Sequence, residues 1–490
     1  MNDALLQAPP LNTQVLSRLD EMPVKAPGFE RSILPVSVLH FGPGAFFRAH
    51  QMDYFDRLNA ISPKWGVVAV ALRSRKTPDA LANQNGLYTL VTLDEQTEYR
   101  LIGSLIDAEH IGDPAAFDHF LQTGLKLITL TITEKGYCLD HNGELDLTNE
   151  DIAADLQTPD APVSAIGWLV KGLKERRESG LGGLVVLSCD NLPSNGRKLK
   201  AAILKFAQAI DPELADWIEN GSRFPSSMVD SITPATDEAL IERVKENCGY
   251  ADAWPIQREA FTSWVIERVE GIDFPPLDEV GAILTDDVSL HEQAKLRLLN
   301  GAHSTLAYLG LAFGYGSVAE GMRDPDLTRF LRVMMTEEIL PSLAPPEGLD
   351  LQTYIDDLLR RFRNPAIQHK LSQIAWDGSK KLPIRLLDTV SDNLEAGRPI
   401  THLCYGVAAW MRFIVRMTRS YTVITDPMAD ELCALAQQAT DNPEKDSRLF
   451  LRLSTLFGSL AENSAFQNGV EAAYADLLDI EKTKKFREVL

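Results

Sequence analysis

Positive charge is scarce in this chain of 490 residues. It has 48 lysine and arginine residues against 69 aspartate and glutamate residues, a formal net charge of −21. A protein that gains affinity by neutralising the phosphates of nucleic acid needs a basic face. The charge balance therefore argues against nucleic acid, or another polyanion, as a partner.

Cysteine is also scarce, and the five cysteines are scattered: Cys138, Cys189, Cys248, Cys404 and Cys433. Their number is odd and no two of them form a C-x-x-C pair. Neither a disulfide framework nor a clustered zinc site is indicated. We expect reduced thiols, a cytoplasmic location and no bound metal.

Long apolar runs are missing as well. No stretch approaches the eighteen apolar residues of a membrane span, and the first ten residues, MNDALLQAPP, lack the basic and apolar regions of a signal peptide. Apolar residues make up 45% of the chain and charged residues 24%, which is typical of a folded globular protein. A chain of this length predicts two domains or one elaborated pair of lobes. The missing apolar runs predict no contact with a membrane.

The N-terminal part begins with a pattern of strand, glycine turn and helix. The apolar stretch 34–40 is followed by Phe41-Gly42-Pro43-Gly44, an amphipathic segment 45–58 and a second apolar stretch 65–72. This spacing predicts a βαβ unit that opens a parallel sheet.

Two further buried strands are predicted at 125–133 and 183–188, and a hairpin or an addition to a mixed sheet at 88–103. Polar residues follow both strands: Glu134 and Lys135 after the first, Asp190 and Asn191 after the second. In open α/β sheets ligands bind at the carboxyl ends of strands, so these residues are candidates for the chemistry.

From about residue 287 helical patterns replace the short apolar runs. The predicted helices are 290–311, 326–339, 351–363, 400–418 and 426–439. The predicted fold class is therefore α/β, with an expanded Rossmann-type N-terminal domain over 1–285 and a predominantly α-helical C-terminal domain over 286–490.

The turn Gly42-x-Gly44 suits a dinucleotide, because missing side chains let a pyrophosphate approach the backbone at a helix N-terminus. The match to G-x-G-x-x-G is incomplete, since Phe47 stands at the third position. Arg73-Ser74-Arg75 follows the second strand, where an acidic residue would bind a ribose hydroxyl. A purely structural turn stays open, and the arginines suit either a 2′-phosphate or a solvated loop.

The segment Lys295 to His303 places Lys295, Asn300 and His303 on a predicted helix. At about 100° per residue they span roughly 140°, with His303 between the other two. A lysine whose pKa is lowered can take a proton from an alcohol, and an amide can stabilise the resulting oxyanion. The residues alone also allow a surface lysine, a capping asparagine and a core histidine.

The combined motifs resemble the polyol-specific long-chain dehydrogenases, the mannitol dehydrogenase family, which contains mannitol 2-dehydrogenase and fructuronate reductase. The resemblance covers nearly the whole chain and is carried by the segments 42–51, 131–138, 188–191 with Asn195-Gly196, 224–230 and 295–303. It implies a metal-independent, NAD-dependent oxidation of a secondary alcohol, with NADP not excluded, in a monomer or small homo-oligomer.

The resemblance also implies roles for individual residues. Lys295 is implied as the general base, Asn191 and Asn300 as oxyanion donors, His303 and Asp230 as ligands of substrate hydroxyls, and Glu292 as an aid to proton movement around Lys295. Cofactor contacts are expected from Phe41, Gly42, Gly44, Ala45, Phe46, Arg48, Arg73 and Glu134, and Glu134 also suits the proton path.

The substrate-side motifs resemble the sugar-acid branch more than the mannitol branch. Lys135 and Cys138 in the 133–138 motif, and Gln373 in the 373–383 motif, stand where mannitol enzymes tend to have other residues. A carboxylate substrate needs a local cation, and Lys135 and Lys381 are the candidates. We therefore predict oxidation of D-mannonate to D-fructuronate, with a mannitol or arabinitol 2-dehydrogenase as the alternative.

Other enzyme classes lack their motifs. No H-E-x-x-H and no G-x-S-x-G occurs, which argues against a metallohydrolase or a serine hydrolase. A non-catalytic nucleotide-binding protein stays open on the glycine turn alone.

Overall fold

The structure, a computed structural model, describes residues 8–94, 96–367 and 369–485. It divides the chain into two units, Met1–Ser289 and Leu290–Leu490.

The first unit contains all strands of the part of the chain that is described. They are β1 (Val36–Phe41), β2 (Gly66–Ala71), β3 (Tyr88–Leu93), β4 (Glu98–Ile102), β5 (Leu105–His110), β6 (Leu127–Leu130), β7 (Val185–Ser188), β8 (Ser227–Asp230), β9 (Ile256–Glu259), β10 (Ser263–Glu267) and β11 (Ile283–Thr285). Its helices are α1 (Ala45–Ala49), α2 (Gln51–Ile61), α3 (Lys76–Ala82), α4 (Glu150–Gln157), α5 (Ala165–Glu178), α6 (Asn195–Ile210), α7 (Pro212–Gly221) and α8 (Glu238–Cys248), while α9 (Val288–Ala294) spans the division between the units.

The central sheet of this unit is parallel, with the strand order β5-β2-β1-β6-β7. Strand β1 aligns His40 with Ala69 of β2 on one side and with Thr129 of β6 on the other. The chain therefore reverses its direction of strand addition between β1 and β6, which is the Rossmann arrangement. The predicted fold class is confirmed.

Alternating residues of the central strands pack into two separate cores. Leu39 and Val68 belong to the core on one face, and Val38 and Ala69 to the core on the other. A sheet that is covered on both faces requires strands that are apolar throughout, which is why these strands read as continuous apolar runs.

The remaining strands form two small sheets, β4-β3-β9 and β11-β10-β8. Strands β3 and β4 are antiparallel, as the predicted hairpin at 88–103 requires. Strand β9 adds to this hairpin in parallel, a long-range pairing that no local pattern indicated.

Two predicted elements of this unit are interrupted. The helix predicted over 45–58 breaks at His50, whose φ of −108° and ψ of −78° separate α1 from α2. The strand predicted over 125–133 ends at Leu130, because the N–H groups of Ile132 and Thr133 donate to the Asp190 carboxylate instead of to a neighbouring strand.

The second unit is helical in its described part. Its α-helices are α10 (Gly301–Phe313), α11 (Val318–Gly321), α12 (Pro325–Val333), α13 (Leu351–Arg363), α14 (Leu371–Ile374), α15 (Gly378–Leu382), α16 (Asp388–Glu395), α17 (Thr401–Arg419), α18 (Ala429–Ala436), α19 (Pro443–Leu451), α20 (Ser454–Phe457) and α21 (Ser464–Thr483). Three segments are π-helical: Lys295–Asn300, Met334–Ile339 and Pro383–Leu387.

Helix α10 lies at the centre of this unit and packs against α14, α17 and α21. Nearly all of its side chains are buried, so it is apolar around its whole circumference. Within the described residues, no helix combines the length and the apolar character that crossing a membrane requires.

Candidate active site

The glycine turn lies at the carboxyl end of β1, where the direction of strand addition reverses. Gly42 has a φ of +91°, and a Cβ atom there would lie 2.2 Å from the carbonyl oxygen of Thr131. Gly44 is exposed, and a Cβ atom there would meet only the Gly42 oxygen, at 3.8 Å. The first glycine is thus required by the backbone, and the second leaves open space in front of the turn.

His40 fixes this turn to the neighbouring strand β6, a role that the sequence did not reveal. Its Nε2 lies 3.0 Å from the Gly42 carbonyl, to which it donates, and its Nδ1 lies 2.8 Å from Thr129 Oγ1. The ring stacks on Phe47 with centroids 3.4 Å apart. Burial lowers the pKa of His40 to about 3, so the imidazole is neutral and acts as a structural clamp.

Asp190 organises the residues that follow β6 and β7. Its carboxylate accepts hydrogen bonds from the N–H groups of Ile132 (2.9 Å) and Thr133 (3.0 Å) and from the Tyr137 hydroxyl (2.7 Å). Burial raises the pKa of Asp190, and these donors oppose the shift. Thr133 has a φ of +65°, an uncommon conformation for a threonine that these bonds maintain.

Asn195 joins the ends of β7 and β8. Its Nδ2 donates to the carbonyls of Ser188, Asp190 and Ser227, and its Oδ1 accepts from the Ser227 N–H. The segments that follow β6 and β7 and the strand β8 are thus joined by hydrogen bonds, and each carries a predicted site residue. Glu134 and Asn191 are exposed, and Asp230 is buried.

Arg48, one of the predicted cofactor contacts, lies inside the first unit. Its guanidinium is 3% exposed, donates to the Trp254 carbonyl at 2.7 Å and lies over the ring of Tyr88. Its side chain thus packs against residues of the first unit. Of the other predicted contacts, Phe41 is buried, while Ala45 and Phe46 are half-buried beside Gly44.

The arginines after β2 lie at the surface. Arg73 is 85% exposed on its side chain and lies 3.8 Å from Asp151, whereas Arg75 lies 2.7 Å from Asp113. Exposed pairs of this kind hold a side chain only weakly, so Arg73 is free to rearrange towards a ligand.

The second unit holds the predicted base on a π-helical turn. Lys295 and Asn300 are the first and last residues of the π segment, and both are half-buried. A π-helix bonds residue i to i+5, so these side chains lie about one turn apart on the same face. The angular separation of about 140° applies to a regular α-helix, and a π segment replaces that geometry between Lys295 and Asn300.

The Asn300 side chain can donate. Its amide makes no hydrogen bond to the residues that the structure describes, while the backbone carbonyl of Asn300 accepts from Arg385 Nη1 at 3.5 Å. Glu292, one turn before Lys295 on α9, is half-buried. The turn thus presents an amine, an amide and a carboxyl group.

His303, near the start of α10, is buried and neutral. Its ring stacks on Phe362 with centroids 4.2 Å apart and meets His369 edge-on at 5.3 Å. Burial lowers its pKa well below the ordinary value, and the charges of His369, Arg361 and Arg385 lower it further. A neutral imidazole can bind a substrate hydroxyl without adding charge.

The other residues predicted to bind the substrate are Lys381, Gln373 and Lys135, and they differ in exposure. Lys381 on α15 is half-buried, and its ammonium donates to the carbonyls of Ile374 and Trp376, which leaves one of its three donors. Burial, and then the charge of Arg385, lowers the pKa of Lys381. Gln373 is exposed on α14, and Lys135 is exposed in the first unit, on the 3₁₀ turn Glu134–Tyr137.

Comparison with known proteins identifies the family. The mannitol dehydrogenase Rossmann domain matches residues 36–275, and the mannitol dehydrogenase C-terminal domain matches residues 287–478. The chain belongs to the mannitol dehydrogenase family. It is an oxidoreductase, and the dehydrogenases of this family act on CH–OH groups of polyols and sugar acids.

Several members of the mannitol dehydrogenase family are similar over nearly the whole chain. The D-mannonate oxidoreductase of Escherichia coli (strain K12) is 40% identical over 94% of this chain and 96% of its own length. The mannitol 2-dehydrogenase of Pseudomonas fluorescens, solved as a ternary complex with NAD and D-mannitol, is 36% identical with a TM-score of 0.78. A D-sorbitol dehydrogenase solved in substrate-free form is 29% identical with a TM-score of 0.88. In both comparisons the match covers 97% of this chain and 98% of the chain of the solved structure.

Proposed function

We propose that this chain interconverts D-mannonate and D-fructuronate by NAD-dependent hydride transfer, with Lys295 as the general base. The observation that carries the proposal is the 40% identity to a D-mannonate oxidoreductase over nearly the whole of both chains. The one-turn separation of Lys295 and Asn300 supports the assignment of the base.

The first unit fits a dinucleotide. The open space at Gly44, the left-handed Gly42 and the clamp by His40 lie at the reversal point of a parallel sheet, where such ligands bind. Gly42, Gly44, Ala45 and Phe46 would hold the pyrophosphate end of the cofactor, and Arg73 and Glu134 lie on the neighbouring loops. When bound, NAD accepts or returns the hydride at the carbinol carbon.

The residues of the chain carry the proton and the charge. Lys295, with a neutral amine, takes the proton from the substrate hydroxyl, and the amides of Asn300 and Asn191 donate to the oxygen as negative charge develops on it. Glu292 passes the proton from Lys295 towards solvent. His303 and Asp230 bind the neighbouring hydroxyls and orient the sugar chain.

A mannitol or arabinitol 2-dehydrogenase is the second candidate. The 36% identity to the P. fluorescens mannitol 2-dehydrogenase supports it, and the net charge of −21 disfavours the approach of an anionic substrate. The sugar-acid assignment therefore depends on a local cation in the substrate site.

A substrate panel tests the proposal. We expect reduction of NAD, followed by absorbance, with a kcat/KM for D-mannonate at least tenfold above those for D-mannitol and D-arabinitol. A preference for a hexitol would overturn the sugar-acid assignment, and no turnover with any of the three would overturn the dehydrogenase assignment.

A further inference from the structure

A half-buried cation without a carboxylate partner among the described residues lies in the second unit beside the predicted catalytic turn. Arg385, on the π segment Pro383–Leu387, donates from Nη1 to Ser304 Oγ at 3.0 Å and to the backbone carbonyl of Asn300 at 3.5 Å. A guanidinium that is partly removed from water without an anion lowers stability, so this charge is a candidate for binding an anionic ligand.

The edge of Arg385 that best fits a carboxylate is unused. A guanidinium has five N–H donors, and the parallel pair at Nε and Nη2 is the one that binds a carboxylate in bidentate fashion. Nε is buried and has no hydrogen-bond partner within the part of the chain that the structure describes, and Nη2 makes no hydrogen bond there either. Among the described residues, hydrogen-bond partners are found only at the opposite nitrogen, Nη1.

The surroundings of Arg385 contain further charges and a second unpartnered group. Its charge and that of Arg361 both act on His303, and its charge acts on Lys381, on which Asp377 and Asp426 also act. His303 is 8% exposed, and its Nε2 is buried without a hydrogen-bond partner among the residues described. An imidazole nitrogen without a partner thus lies near the cation that has no carboxylate partner.

We propose that Arg385 binds the carboxylate of the sugar-acid substrate through its Nε and Nη2 donors and thereby sets the preference for hexonates over hexitols. The inference rests on the proposed function, because a polyol has no carboxylate to bind. Lys381 supplies a second positive charge from α15, but its ammonium is largely occupied by two carbonyls. Lys135 is not needed for this role.

The position of Arg385 explains how one residue can both select a carboxylate substrate and orient it. Its Nη1 is fixed to Ser304 and to the backbone of Asn300, so a carboxylate on the opposite edge has a fixed relation to the Asn300 amide. A hexonate bound in this way would present a hydroxyl-bearing carbon of its chain to Asn300 and Lys295, whereas a hexitol would lack the anchor.

The test compares Arg385→Gln with wild type on D-mannonate and on D-mannitol, the latter also as a competitive inhibitor in case it turns over slowly. We expect kcat/KM for mannonate to fall about 10- to 100-fold, mainly through KM, as for the loss of a charge-assisted hydrogen bond. The kinetic or inhibition constants for mannitol should change less than threefold. Arg385→Lys should restore part of the preference, since it returns the charge without the fork.

Two further variants separate binding from structure. Lys380→Gln removes an exposed neighbouring charge and should leave the mannonate-to-mannitol ratio unchanged. Ser304→Ala removes the fixed bond of Arg385 and should lower the ratio less than Arg385→Gln does. An equal loss for both substrates in Arg385→Gln, or an unchanged ratio, would contradict the carboxylate role.

Failure of the proposed function gives a different result. If the wild-type protein does not oxidise mannonate, the substrate assignment is wrong whatever the variants do. Titration of wild type and Arg385→Gln with D-gluconate then decides whether this residue binds a sugar carboxylate, since equal heats for the two proteins would exclude the site.

Discussion

The glycine turn depends on the imidazole of His40. It spans from β1 to β6 and uses both ring nitrogens, while its ring lies flat against Phe47. Because its pKa is lowered to about 3, it carries no charge towards a dinucleotide at any ordinary pH. The clamp is therefore geometric, and its loss should affect the shape of the turn and not the local potential.

Replacing His40 by alanine tests this role. The variant removes the imidazole partner of the Thr129 hydroxyl and one of the donors to the Gly42 carbonyl, which also accepts from the Thr131 hydroxyl. This loss should cost about 1–3 kcal/mol of unfolding free energy. We expect a lower Tm and a weaker binding of NAD, measured by calorimetry. His141→Ala, at an exposed histidine, is the matched control. An unchanged NAD affinity in His40→Ala would show that NAD binding does not depend on this residue.

The sequence did not indicate a role for Arg385, for a physical reason. It lies in the run Leu382-Pro-Ile-Arg-Leu-Leu387, where one arginine among apolar residues signals burial but not the ligand. Its relation to Asn300 and His303 arises only when the π segments 295–300 and 383–387 pack together. Residues such as Lys295 and Asn191 were named from the family resemblance, which carries spatial information that the local pattern lacks.

Among the elements, periodicity located the five helical segments predicted in the second half of the chain, and helix α13 has the predicted bounds, Leu351–Arg363. Other helices, such as α5 and α21, were not predicted. The π segments were not predicted, because an i to i+5 turn inside a helix leaves the apolar pattern of the flanking turns intact. The break between α1 and α2 at His50 was missed for a similar reason. The His50 ring contacts Tyr54 and Trp264 there, and Trp264 is distant in sequence.

Helix α2 is joined to the turn between β4 and β5 by a buried acid. Asp56 Oδ1 accepts hydrogen bonds from the N–H groups of Gly103 (2.8 Å) and Ser104 (3.2 Å) and from the Ser104 hydroxyl (3.1 Å). Burial raises the pKa of Asp56 to about 6, and these donors oppose the shift. Between about pH 4 and pH 6 the native state therefore holds a proton that the unfolded chain has released, so this group lowers stability as the pH rises through that window.

Asp56→Asn should remove this pH dependence while keeping the three bonds to Oδ1. We expect the variant to gain stability relative to wild type between pH 4 and pH 7, by up to about 3 kcal/mol for a shift of about two pKa units. The measurement is Tm against pH for both proteins, with exposed Asp118→Asn as the control for the lost charge. Parallel curves for wild type and Asp56→Asn would show that Asp56 does not titrate in this window.

At the scale of the whole molecule, the order of an α/β unit followed by a helical unit was predictable, because continuous apolar strands and long helical patterns occupy different parts of the chain. The small sheets β4-β3-β9 and β11-β10-β8 were not, since they join strands that are distant in sequence. The proposed chemistry uses an amine and amides where many dehydrogenases use a metal. The described residues include no cluster of three or more His, Cys, Asp or Glu side chains that could hold one.

Chelation tests this proposal for the intact protein. After dialysis against EDTA we expect an unchanged kcat with D-mannonate, because Lys295 and the asparagine amides need no Lewis acid. A loss of activity that is restored by zinc or another divalent cation would show that a metal takes part.

The role of the Lys295 amine as acceptor of the substrate proton is tested by the kcat of Lys295→Ala with D-mannonate and NAD at neutral pH, with and without added methylamine. We expect a fall of about 10² or more, an unchanged Tm and partial recovery with the free amine, because a diffusing base replaces the missing one. Near-normal turnover in the variant would show that Lys295 is not the base.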